Sequence, residues 1–133
     1  LAVGFAPFSA LLPRALVTVH HGGIGTTAQA LRAGRPMLIA PFANDEFDNA
    51  ARARRLGVSA TLDPARLDAS SLERSLRTLL EDPAPAARAA DIAKHLHHED
   101  GAANAAALLE QFAGQPARAE HSPGGPTDLS RHV

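Results

Sequence analysis

The feature that most constrains this chain is residues 16–41, where two short apolar runs flank a glycine-rich loop and a helix-forming segment. Leu16-Val17-Thr18-Val19 and Met37-Leu38-Ile39-Ala40 are each bounded by chain breakers. Near-continuous apolarity over so few residues suits strands buried on both faces, as in parallel sheets. Residues 26–33 lie between the runs and are closed by Gly34 and Pro36, the expected stop for a helix. Residues 16–40 therefore predict one strand–helix–strand unit with parallel strands.

The remainder extends this pattern. A second helix is expected over residues 45–56, ending at Gly57, with Asp45 placed to cap its first amides. Asp48 would sit in its first turn and Arg52, Arg54 and Arg55 toward its negative end, a solvated face rather than a site for an acidic partner. Ser70 and Glu73 form a capping-box pattern ahead of Leu72, Leu76, Leu79 and Leu80, which share a helical face. Ala89, Ile92, Ala93 and Leu96 repeat that spacing, as do Ala105, Leu108, Leu109 and Phe112. Strands alternating with helices, followed by a helical C-terminal segment, predict an α/β layered fold over residues 1–113. Residues 114–133, rich in Gly and Pro and without apolar periodicity, predict a disordered tail.

Composition narrows the function classes. Thirteen Lys and Arg against 14 Asp and Glu give a formal net charge of -1, so nucleic acid is not an expected partner. The absence of cysteine excludes disulfides, thiolate metal sites and a thiol nucleophile. No apolar run approaches the roughly 20 residues of a membrane span, and no leader pattern is present, so a cytoplasmic protein is expected. The chain begins at Leu1 rather than Met, which suggests a piece of something longer.

The chemistry concentrates in Val19-His20-His21-Gly22-Gly23-Ile24-Gly25-Thr26-Thr27, which follows a strand and opens a helix. An open parallel sheet places its ligand crevice at such a point. Glycines let backbone approach a bulky anion, and the first-turn amides together with the helix dipole favour negative charge. Thr26, Thr27 and either histidine can add donors. The alternative is a loop that merely reverses the chain. Gly23, Gly25 and Ala28 also satisfy the weaker G-x-G-x-x-A dinucleotide pattern, with Asp45 as a possible ribose acid. That acid should stand at the end of the second strand, however, and Asp45 follows a further loop. His95, His97 and His98 lack the spacing of a metal site and fit a solvated helix face.

The wider spacing resembles a known family. His21-Gly22-Gly23-Ile24-Gly25-Thr26, then Gln29, Gly34, Pro36, Pro41, Asp45 and Asn49-Ala50, is similar to the nucleotide-sugar signature of family 1 glycosyltransferases. The nearest form is the bacterial HHGGxGT motif followed by P-x-x-x-D-Q-x-x-N-A, and the likeness extends to Phe5-Ala6-Pro7 and Glu99-Asp100-Gly101. The resemblance implies the Rossmann-like C-terminal half of a GT-B enzyme. It assigns His21, Gly22, Gly23, Gly25, Thr26 and Thr27 to the donor diphosphate, and Phe5 and Gln29 to the base and ribose. Asp45, Glu46 and Asn49 would face the donor sugar. Phe5 replaces a frequent tryptophan and fits either base stacking or the core. Gln29 stands where plant members carry glutamate, and Glu46 replaces the usual glutamine.

By the same resemblance, the donor is a UDP- or dTDP-linked hexose and the acceptor a small hydroxylated molecule. No metal or other cofactor is required, because helix amides and His21 can neutralise the diphosphate. The acceptor pocket and catalytic base belong to an N-terminal domain outside this sequence, so no catalytic residue is assigned here. A non-catalytic nucleotide-binding module and an NAD-binding oxidoreductase fragment are the alternative readings.

Overall fold

The computed structural model describes residues 2–114. The described residues divide into two units, the first ending at Glu99 and the second beginning at Asp100. The expected folded span of 1–113 includes the first unit and one helix of the second. Apart from Gly114, the expected tail lies outside the described residues.

In the first unit, a short helix α1 (Phe8–Leu11) and a 3-10 turn (Leu12–Arg14) lead into β1 (Thr18–His20). Then follow α2 (Ile24–Arg32), β2 (Met37–Ile39), α3 (Glu46–Arg55) and β3 (Ser59–Thr61). Helices α4 (Ala69–Glu81) and α5 (Pro83–Leu96) complete the unit. The second unit contains α6 (Gly101–Ala113), whose first turn is capped by Asp100 through the Ala103 amide at 3.0 Å.

The sheet is parallel throughout, in the order β1-β2-β3. Val19 stands opposite Leu38, and Leu38 opposite Ala60. The expected strand–helix–strand unit is therefore present, with a third strand that the sequence reading missed because Ser59-Ala60-Thr61 is short and weakly apolar. The central strand separates two cores. Met37 and Ile39 pack with Leu12, Ala30, Ala50, Ala53, Val58 and Ala89, whereas Leu38 packs with Ala40, Leu62 and Leu79 on the opposite side. Two-sided burial holds for β2 alone. On β1, an edge of the sheet, Val19 is 54% exposed.

Several helix ends differ from their sequence expectations. Helix α2 begins at Ile24, two residues before the expected start, so Gly23 is its N-cap. Helix α4 uses Asp68 and Ser71 for its capping box in place of Ser70 and Glu73. The Asp68 carboxylate receives the Ser71 amide at 2.7 Å, and Ser71 Oγ accepts the Asp68 amide at 3.0 Å. Glu73 is left to pair with Arg77 at 2.7 Å. Gly34, at φ +65°, ends α2 where a Cβ would lie 3.2 Å from Ala93 and 3.3 Å from Ala90 of α5, so glycine serves both the turn and the close helix approach.

The two-core arrangement makes Leu38 the most sensitive strand position on its face. Leu38→Ala is expected to cost about 2–5 kcal/mol in urea unfolding, whereas Val19→Ala, opposite it in register but exposed, is expected to cost under about 1 kcal/mol.

Candidate functional site

The carboxyl ends of β1 and β2 carry the two segments singled out in the sequence, which is where an open parallel sheet gathers ligand-binding loops. After β1 the chain passes through Gly22 at φ +102° and enters α2 at the Gly23 N-cap. A Cβ on Gly22 would lie 2.9 Å from Ile39 Cγ2 and 3.2 Å from the Glu46 carbonyl. Only glycine combines that dihedral with that approach. At Gly23 a Cβ would lie 2.9 Å from His21 Nε2, so the second glycine makes room for the imidazole.

Hydrogen bonding sorts the predicted diphosphate residues. The amides of Ile24, Gly25 and Thr26 have no acceptor among the described residues, as the first turn of a helix dictates. Gly22 differs: its amide donates to His20 Nδ1 at 3.0 Å, and its carbonyl receives Asn49 Nδ2 at 3.0 Å. Gly22 therefore shapes the loop and does not offer its amide outward. Thr27 is also reassigned. It is buried, and both its amide and its hydroxyl donate to the Gly23 carbonyl at 3.0 Å, so its hydroxyl proton is engaged within the helix. Thr26 remains half-exposed beside His21. His21 is exposed, with Nε2 3.7 Å from Glu46 Oε1.

The start of α3 forms the facing wall. Asp45 is the N-cap by position, but its backbone is helical and its carboxylate caps no amide, contrary to expectation. Instead Asp45 Oδ2 accepts Asn49 Nδ2 at 2.9 Å, leaving Oδ1 free in an exposed residue. Asn49 is buried, and Nδ2 donates to both Gly22 and Asp45. Its amide nitrogen thus braces α3 against the β1–α2 loop, while Oδ1 makes no hydrogen bond among the described residues. Glu46 Oε2 accepts the amides of Phe42 at 2.8 Å and Ala43 at 3.0 Å. The Phe42 amide first, then that of Ala43, holds the Glu46 carboxyl below its usual range, with a smaller contribution from His21. The site thus presents an ionised carboxylate beside His21.

Phe5 and Gln29 share an open cleft of about 600 Å³ with Val3, Pro7, Phe8 and Leu11. Phe5 is 86% exposed, which removes it from the core. Asp45 lies beyond the end of β2, at the start of α3, away from the strand-end position that a dinucleotide-type ribose acid occupies. His95 Nδ1 lies 2.9 Å from the carbonyl of Asp91 in its own helix, and His97 and His98 are exposed. No three His, Cys, Asp or Glu side chains converge as metal ligands among the described residues. His20 was underread in the sequence: its bond to Gly22 is signalled only by an imidazole two residues before a glycine.

The geometry can be compared with known proteins. The C-terminal domain of erythromycin biosynthesis protein CIII-like proteins matches residues 1–112. The chain belongs to this family. It is 43% identical over 125 residues to O-mycaminosyltylonolide 6-deoxyallosyltransferase of Streptomyces fradiae, covering 93% of this chain and 29% of that one. Sterol 3-beta-glucosyltransferase of Eremothecium gossypii is 37% identical over 106 residues, which is 80% of this chain and 8% of the relative. Among solved structures, glycosyltransferase VinC in complex with dTDP superposes with a TM-score of 0.76 at 34% identity, over 84% of this chain and 28% of that one. Spinosyn forosaminyltransferase SpnP gives 0.77 at 29% identity, with coverages of 84% and 30%. The chain therefore spans less than a third of the length of these relatives. Its α/β unit is the C-terminal architecture of the GT-B glycosyltransferases. No helix among the described residues is long and apolar enough to cross a membrane.

Within this family member, Gly22 and Gly25 should separate. Gly22→Ala is expected to destabilise the chain by more than about 1 kcal/mol in urea unfolding, through strain and the collision with Ile39. Gly25→Ala meets nothing within 4 Å and sits in helix α2, so it should be neutral or stabilising by up to about 1 kcal/mol.

Proposed function

We propose that this chain is the donor-binding half of an inverting GT-B glycosyltransferase, receiving the diphosphate of a UDP- or dTDP-linked hexose at the β1–α2 loop. The observation that carries the reading is the set of unengaged amides at Ile24, Gly25 and Thr26, placed beside exposed His21 at the carboxyl end of a parallel sheet. These donors meet the charge that develops on the departing diphosphate when the anomeric C–O bond breaks. They perform electrostatically what a divalent cation does in other transferases, so no metal or other cofactor is invoked.

The cleft at Phe5 and Gln29 would take the base and ribose, with the Phe5 ring as the stacking face. Asp45, through its free Oδ1, and Glu46 would accept hydrogen bonds from the sugar hydroxyls. The acceptor is a small hydroxylated molecule whose oxygen attacks the anomeric carbon from the face opposite the diphosphate. Its proton passes to a base supplied by the remainder of a longer, cytoplasmic protein. The solved relative holding dTDP supports thymidine diphosphate as the first nucleotide to try.

Calorimetry with dTDP and UDP against the complete protein tests this reading. His21→Ala is expected to weaken binding about 10- to 100-fold, as loss of a hydrogen bond to a charged group of about 1.5–3 kcal/mol would. Unchanged affinity would remove His21 from the site. Asp45→Asn keeps an oxygen for Asn49 and removes only the charge. It is expected to weaken dTDP-glucose binding without weakening that of dTDP, and equal losses for both would displace Asp45 from the sugar.

A further inference from the structure

We propose that His20, in its neutral form, is the positioning residue that sets the diphosphate-binding loop. His20 ends β1, and its Nδ1 accepts the Gly22 amide at 3.0 Å. That bond closes the turn in which Gly22 adopts φ +102°. Gly22 then lies against Ile39 and Glu46, and its carbonyl is fixed from α3 by Asn49. The orientation of the next peptides, and so of the free amides at the start of α2, follows from this clamp. The inference rests on the proposed role of that loop in receiving a diphosphate.

The ring can serve only when uncharged. With Nδ1 accepting a hydrogen bond, the proton of the neutral ring resides on Nε2, and Nε2 is buried without a partner. Protonating Nδ1 would set two N–H groups against each other. The surroundings offer the cation little support. The neighbouring cavity of about 520 Å³ is walled by Phe8, Leu11, Leu12 and Ala15 from the α1 side, by Val17 to Val19 of the β1 region, and by Thr26 of α2. The only titratable side chain besides His20 on that wall is His21, and Glu46 of α3 faces His21. Burial, with a further contribution from the charge of His21, lowers the proton affinity of His20 below the ordinary histidine value.

The sign of the pH effect follows. A histidine with lowered folded-state pKa contributes fully above its ordinary value of 6.5, and that contribution is lost as pH falls from 6.5 toward the folded value. His21 and the nucleotide's own phosphate also titrate nearby, so the informative comparison is with His20→Asn. Its side-chain oxygen can accept the Gly22 amide and carries no titratable proton.

Two measurements on the complete protein test the proposal. The first is dTDP affinity by calorimetry between pH 5.5 and 8. His20→Ala is expected to weaken binding about 2- to 10-fold at pH 7.5, the loss of one net hydrogen bond. His20→Asn should restore wild-type affinity at that pH, and the wild type should weaken relative to it as the pH falls below 6.5 toward the folded-state value. The second is the ¹⁵N ring spectrum of the ligand-free protein, which should report a neutral Nε2–H tautomer for His20 at pH 7. An Nδ1–H tautomer overturns the proposal, as does wild-type affinity in His20→Ala or a pH profile unchanged in His20→Asn. Should the wild type fail to bind dTDP or UDP, the diphosphate reading falls and takes the role of His20 with it. Should it bind while His20→Ala matches it, His20 alone is displaced.

Discussion

The close approach of Gly22 to the start of α3 is the contact on which the site depends. With no Cβ, the chain after β1 passes within van der Waals distance of Ile39 at the end of β2 and of the Glu46 backbone. The loop after one strand and the helix after its neighbour become walls of one crevice. Asn49 locks the approach, because a single buried amide nitrogen serves the Gly22 carbonyl and the Asp45 carboxylate together. A side chain at position 22 would separate the walls, and the amides of α2 would then face no acidic counterpart.

That approach in turn requires a rigid β2. Met37, Leu38 and Ile39 are completely buried and project alternately into two cores, so the strand can neither slide by one residue nor tilt without exchanging the cores. Helices α2 and α3 pack on one side with α5, and α4 covers the other. The site loops add little apolar burial of their own. Their geometry is inherited from the strand ends they extend, as functional loops on rigid scaffolds generally are.

The sequence made the architecture legible where composition and periodicity agree. Strand β2, the helices bounded by Gly34 and Gly57, and the packing of Leu72, Leu76 and Leu79 of α4 could all be read directly, whereas Leu80, expected on the same face, is exposed. Strand β3 could not, since three small or polar residues carry no strand signal until a neighbour pairs with them. The glycine-rich loop after β1 was legible as a motif, but the division of labour inside it was not. Thr27 and Asn49 look in sequence like ligand-facing polar residues, and the sequence gives no sign that both are buried with donors on the backbone carbonyls of Gly23 and Gly22. Asp45 and Asp68 show the converse. Both suit helix caps, yet only Asp68 caps, because Asp45 has a helical backbone and its oxygen is taken by Asn49.

The charge arrangement of the crevice carries the last step. A diphosphate would meet the free amides of α2 and His21, while the opposite wall holds the ionised Glu46 and the exposed Asp45. Neither carboxylate has a Lys or Arg within salt-bridge distance among the described residues, and the nearest arginine of α3 with an ion pair, Arg52, is held by Asp48. Phosphate oxygens are therefore favoured on one wall and repelled from the other. A nucleotide sugar satisfies such a gradient in one orientation only, with its anionic group on the α2 side and its hydroxyl donors toward α3. Glu46 sharpens the gradient relative to the glutamine common in the family, since it presents acceptors alone and a full negative charge. The proposed donor would thus be oriented by two walls of opposite electrostatic character, held together by a glycine and an asparagine.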